Sequence, residues 1–257
     1  SECKIEVHAM ARLPELCEAF FAVDGRDHAT IRNFARVVRE GGYIATTKRG
    51  VGASEMTSRD AANLMIALEG CEAARDAVDT VERLRALKAR PMAAALNALA
   101  GTEPYRSIAR SETFGEALER TIDSVPGLLM DFAAAIAEDG GEDGGQFFTA
   151  MAAGLVLFDQ ISITFSRTTA IIERIAVRPG SGDQSKQTLF RMLFILDAAG
   201  FKKQMAAPNR SDRNVSVRVG MPTLVSVWKA LHGEAAYAEA CAAAKAVVSS
   251  ANKREAI

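Results

Sequence analysis

The stretch Asp27-His-Ala-Thr30-Ile-Arg32-Asn33-Phe-Ala-Arg36-Val-Val-Arg39-Glu40-Gly41-Gly42 carries two periodic patterns at once. Ile31, Phe34, Ala35 and Val38 recur at i, i+3, i+4 and i+7, the spacing that gathers apolar side chains on one side of an α-helix. The pattern predicts a helix from about His28 to Glu40, with Asp27 as N-cap and Gly41-Gly42 as its stop. Gly41 suits the left-handed position that ends many helices. On the opposite side, Arg32, Arg36 and Arg39 stand at i, i+4 and i+7 and share one face. Asn33 lies beside them and Thr30 sits in the first turn. Guanidinium forks suit phosphate oxygens and the O6/N7 edge of guanine, and asparagine can pair bidentately with adenine.

The flanks complete a small module. Leu13, Leu16, Cys17, Phe20 and Phe21 predict a preceding helix that ends at Val23-Asp-Gly-Arg-Asp27. After the glycines, Tyr43-Ile-Ala-Thr-Thr47 is β-prone, and Lys48-Arg49-Gly50-Val51-Gly52 forms a basic, glycine-containing turn. Such a turn could bring Lys48 and Arg49 to the phosphates flanking a groove, as a wing does. Thr57-Ser-Arg-Asp60 has capping-box spacing, with Asp in place of the usual Glu or Gln. It opens a helix that turns Ala61, Leu64, Met65 and Leu68 inward and stops at Gly70. Residues 10–70 are therefore expected to form a winged helix-turn-helix module.

The series Thr30-Ile-Arg-Asn-Phe, Gly41-Gly-Tyr-Ile44, Lys48-Arg-Gly50 and Met56-Thr-Ser-Arg-Asp60-Ala-Ala-Asn-Leu64 resembles the winged helix of MerR-like proteins. It is also similar to uncharacterised phage and prophage proteins of alphaproteobacteria. The resemblance covers about 45 of the 257 residues. It implies that Arg32 and Arg36 face the major groove and that Lys48 and Arg49 lie on the wing. The aromatic pair of MerR-like proteins is reduced to Phe34 and no sensing-cysteine pattern follows, so effector sensing is not implied.

Beyond residue 70 the pattern is less specific. Val78, Val81, Leu84 and Leu87, then Met92 to Leu99, predict one or two amphipathic helices bent near Pro91. Helical character continues over 113–137, interrupted at Pro126-Gly127, making 71–137 a helical middle. The acidic, glycine-rich run 138–145 is the best linker candidate. In 146–257, residues 155–158, 161–165 and 168–177 are β-prone. Gln184 to Gly200 has helical spacing through Leu189, Met192, Leu193 and Leu196, and Val215, Val217 and Val219 alternate as in a strand. Leu224 to Ala251 is alanine-rich and helical. This region is expected to be α+β, either a second helix-plus-wing opening at Ser185-Lys-Gln-Thr188 or an oligomerisation domain. The expected fold is thus mainly α with small β-elements.

Charge is segregated although the chain carries a formal net charge of only −1. Residues 26–49 hold six Lys/Arg against two acids, 100–145 three against ten, and 160–220 ten against four. Only local patches could meet a polyanion. Four scattered cysteines (Cys3, Cys17, Cys71, Cys241) read as reduced thiols in a cytoplasmic protein. No apolar run approaches membrane-spanning length. The chain opens at Ser1 with its first Met at Met10, and residues 1–9 read as an extension of little fold content. Three histidines in unrelated contexts, no paired-cysteine or His-Glu-x-x-His set, and no complete phosphate loop at 179–186 speak against an enzyme or a cofactor. The expected function is sequence-specific binding of double-stranded DNA by a homo-oligomeric, phage-related transcriptional regulator. A small terminase subunit, separable by ring-like stoichiometry, and a protein-interaction module, separable by the lack of salt-dependent DNA affinity, are the alternatives.

Overall fold

The computed structural model describes residues 11–46, 54–90, 98–138, 160–177, 186–197, 199–200, 202 and 216–255. These are mainly helical, with one small antiparallel sheet. The N-terminal helices are α1 (Leu13–Asp24), α2 (His28–Glu40) and α3 (Ser58–Gly70). A 3-10 turn (Ala74–Asp76), α4 (Ala77–Arg85) and a short strand β1 (Lys88–Arg90) follow. The middle contains α5 (Tyr105–Ala109), α6 (Phe114–Asp123) and α7 (Val125–Glu138). Then come β2 (Gln160–Phe165), β3 (Thr169–Val177), β4 (Lys186–Ile195), β5 (Val217–Gly220), α8 (Met221–His232) and α9 (Glu234–Glu255).

The sheet order is β1-β4-β3-β2-β5, with every neighbour antiparallel. Ile161, Ile163 and Phe165 of β2, Ile172 of β3, and Phe190 and Phe194 of β4 are buried. They alternate along their strands, as one inward sheet face requires. Helices cover this face. The Phe114 ring of α6 packs 5.8 Å from Phe165 and 5.6 Å from Phe194, while Tyr105 of α5 lies 5.1 Å from Phe190. One buried polar group sits in that face. Arg174 of β3 is 1% exposed, donates from Nε to Asp131 of α7 at 3.0 Å, and stacks its guanidinium 4.7 Å over Phe132. Tyr105 donates its hydroxyl to the same carboxylate oxygen at 2.7 Å, and burial beside that charge raises the phenol's pKa.

Helix α3 is the hub of the helical layer. Asp60 to Leu68 are buried without interruption, so α3 is not a surface helix with one apolar stripe but one surrounded by α2, α4, α6 and α8. A single apolar cluster runs from Ala11 through α3 to the sheet and on to Val248. Residue 70 therefore ends a helix without interrupting the core.

Four sequence expectations need correction. Gln184–Gly200 is not a helix: Lys186–Ile195 is strand β4, paired with β3 on one side and β1 on the other. A run with apolar residues on both faces satisfies the helical template as well as the strand one, and non-local pairing decides between them. The helix on which a second helix-plus-wing rested is therefore absent. Second, the helix expected through Val78 to Leu87 is α4, which ends at Arg85, and Lys88–Arg90 joins the sheet edge. Third, Tyr43 to Thr46 is not a strand: Tyr43 and Ile44 form a bend, Ala45 and Thr46 are irregular, and α3 side chains hold this backbone instead of a ladder. Fourth, the left-handed glycine is Gly42 (φ +81°); Gly41 lies at φ −75°. The expectations at 1–10, 47–53, 91–97, 139–159, 178–185 and 203–215, including most of the linker, fall outside the described residues.

Candidate nucleic-acid interface

Helices α1 and α2 are joined by three residues, Gly25 to Asp27. Gly25 takes φ +80°, a left-handed geometry that L side chains rarely adopt, and so reverses the chain directly after Asp24. Asp27 then caps α2, accepting the Thr30 backbone N–H at 2.9 Å. That bond and the Thr30 hydroxyl, donated at 2.8 Å, hold the Asp27 carboxyl below the usual range. Ile31, Phe34, Ala35 and Val38 are buried as the spacing predicts.

The opposite face is exposed and basic. Arg32, Asn33, Arg36 and Arg39 are solvent-exposed along α2. Thr30 is half-buried and its hydroxyl is engaged in the cap. Lys48 and Arg49 lie outside the described residues. The arginines are not equivalent. Arg32 contacts Glu18 of α1 at 3.2 Å, and His28 contacts the same carboxylate oxygen at 3.2 Å. Arg36 pairs with Glu40 at 2.7 Å and donates to Asn33 at 3.0 Å. Arg39 has no ion pair among the described residues. These pairs are solvent-exposed, each worth about 0–1 kcal/mol, and exchange readily for an incoming anion.

A groove of about 460 Å³ runs between α1 and α2. Leu13, Pro14, Cys17 and Ala35 make its floor, and all three arginines of the stripe line it. Sequence reading found the arginines but not the groove. The signal was the small residues Cys17 and Ala35, whose sequence separation hides that they face each other. Burial raises the Cys17 thiol to about 11, despite the nearby Arg32 and Arg39 cations, so it is protonated at neutral pH.

Behind the turn lies a carboxyl pair. Asp24 is hydrogen-bonded to Glu69 at the end of α3, and Arg26 reaches Asp24 at 2.7 Å and Glu69 at 4.0 Å. Burial, then the hydrogen bond and charge of Asp24, push the Glu69 carboxyl up to about 7. The same Arg26 lies 5.9 Å over the Phe34 ring, linking this pair to the buried side of α2.

Two α3 side chains fix the chain beyond α2, and sequence reading did not foresee this use. Asp60 accepts from the backbone N–H groups of Thr57 (2.9 Å) and Ala45 (2.8 Å). Asn63 donates to Tyr43 O at 2.5 Å and accepts from Arg85 at 2.7 Å. Arg85 in turn meets Glu119, and Gly115 leaves room for its guanidinium. The exit from the basic helix is thus anchored to the molecule's central helix.

Among the described residues no group of three or more His, Cys, Asp or Glu side chains could hold a metal ion. Among the same residues no helix is long and apolar enough to cross a membrane. Comparison with protein-family models, with curated proteins and with solved structures returned no match.

Proposed function

We propose that the chain binds double-stranded DNA sequence-specifically and that α2 is the helix that enters the major groove. The supporting observation is the exposure of Arg32, Arg36 and Arg39 on one face of the second helix of a short-turn helix pair. In this reading Arg32 and Arg36 exchange Glu18 and Glu40 for base edges or phosphates, with Asn33 beside them. Lys48 and Arg49 add contacts to flanking phosphates. A regulatory role of phage or prophage type rests on the sequence resemblance and is part of the same proposal.

Fluorescence anisotropy of the full chain on fragments selected from a genomic library tests the reading. The Arg32→Ala/Arg36→Ala double variant is expected to lose about 1–3 kcal/mol per base contact and to discriminate less between selected and random fragments. Arg39→Ala is expected to weaken binding uniformly and to reduce the salt slope by about 1. Equal affinity of the double variant and the parent for the selected fragments would remove α2 from the interface.

A further inference from the structure

The groove between α1 and α2 offers something that a DNA backbone does not use. Its floor of Leu13, Pro14, Cys17 and Ala35 is apolar, and three guanidiniums stand along it. Phosphates satisfy the guanidiniums and leave the floor wet. A small molecule would fill the volume, but ligand sites enclose most of their ligand. Here the lining comes from two helices alone among the described residues. A shallow cleft between two helices, apolar along its base and charged on its rim, fits an amphipathic helix laid lengthwise.

The charge pattern names the chemistry of that helix. Arg32 to Arg39 spans seven residues, about 10.5 Å of helix axis at 1.5 Å per residue. Carboxylates at i, i+4 and i+7 of a facing helix have the same reach. Glu18 and Glu40 already show that carboxylates seat on Arg32 and Arg36 in this geometry. Arg39 has no such partner among the described residues. We propose that this groove docks an acidic amphipathic helix of a partner protein, with a leucine-sized side chain on the Cys17–Ala35 floor and carboxylates on the three arginines. Docking in this way does not depend on the DNA reading. Competition with DNA does rest on it, because both ligands claim the same arginines.

The probe is a fluorescein-labelled synthetic helical peptide carrying Leu and Glu at helical spacing, titrated with the full chain and followed by anisotropy. Saturable binding is expected, weakened about tenfold or more when the peptide's leucines become serine, and likewise when its glutamates become glutamine. Leu13→Glu is expected to abolish it. Arg39→Glu, at an exposed position that leaves the fold intact, is expected to weaken the acidic peptide and to recover affinity for a peptide with lysine at the matching position. Absence of saturable binding, or binding indifferent to the leucine-to-serine change, overturns the proposal. A chain that binds the peptide and no DNA keeps the docking site and removes the DNA reading. A chain that binds DNA and no peptide does the reverse.

Discussion

Gly41 has an ordinary right-handed φ of −75°, so conformational freedom is not what this position requires. A Cβ there would lie 2.5 Å from Val78 Cγ2, which is the reason for a glycine. Gly41→Ala is expected to lower stability by about 1–3 kcal/mol in urea unfolding, and a second change, Val78→Ala, to recover part of the loss. Gly42→Ala is expected to act through backbone strain instead, unrelieved by Val78→Ala. Which glycine does which was not legible in the sequence, because the deciding contact is with a helix more than 30 residues on. The Asp27 and Thr57–Asp60 caps were legible, since each is closed within three residues. Asp60 and Asn63 as anchors for Ala45 and Tyr43 were not, the partners being 15 and 20 residues away. Glu69 supplies a pH test. Its folded-state pKa, about 7, lies above the ordinary 4.5, so the folded state holds a proton that the unfolded state has released between those values. The contribution is present in full below about pH 4.5 and is lost as pH rises through about 7. Thermal unfolding of the parent is expected to weaken across that window by on the order of 2 kcal/mol, and Glu69→Gln to flatten the fall. Parallel profiles for parent and variant would show that the Asp24–Glu69 contact is not sharing a proton.

Helix α2 and strand β4 mark the two ends of what periodicity can decide. In α2, Ile31, Phe34, Ala35 and Val38 gather on a buried side while Arg32, Asn33, Arg36 and Arg39 stay exposed, a division that only a helix satisfies. In β4, Leu189, Met192 and Leu193 mimic a helical stripe while Phe190, Met192 and Phe194 form a strand face. The second alternative wins because β3 and β1 supply backbone partners on both edges, one of them about 100 residues earlier. The two arrangements make different mutational demands. As a strand, Phe194→Ala is expected to cost about 3–5 kcal/mol, as a ring lost from a filled core does. Leu193→Ala, half-buried on the other face, is expected to cost clearly less. A helix burying Leu189, Met192, Leu193 and Leu196 would place the larger penalty on Leu193, and chemical denaturation of the two variants reads the order directly.

The N-terminal helices and the C-terminal helices share one core. Helix α1 packs along α8, where Ser226 Oγ donates to Ala19 O at 2.8 Å, and Trp228 is buried in the same helix. Nine consecutive buried α3 residues lose the cover of α4, α6 and α8 if the chain is cut at 70. A fragment covering 10–70 is therefore expected to show little cooperative unfolding by circular dichroism. In the full chain, fluorescence of the single tryptophan is expected to report the same transition as far-ultraviolet ellipticity. The bond between Ala19 and Ser226 spans 207 residues, and this separation has a consequence for synthesis. A ribosome adding about 5–20 residues per second leaves α1 without its docking surface for roughly 10–40 s after it emerges. During that interval the apolar side of α1 and the arginine-lined cleft beside it face the ribosome's anionic surroundings and any passing chaperone. Stalling translation before residue 221 should yield nascent chains whose N-terminal helices remain open to protease, and release of the stall should close them.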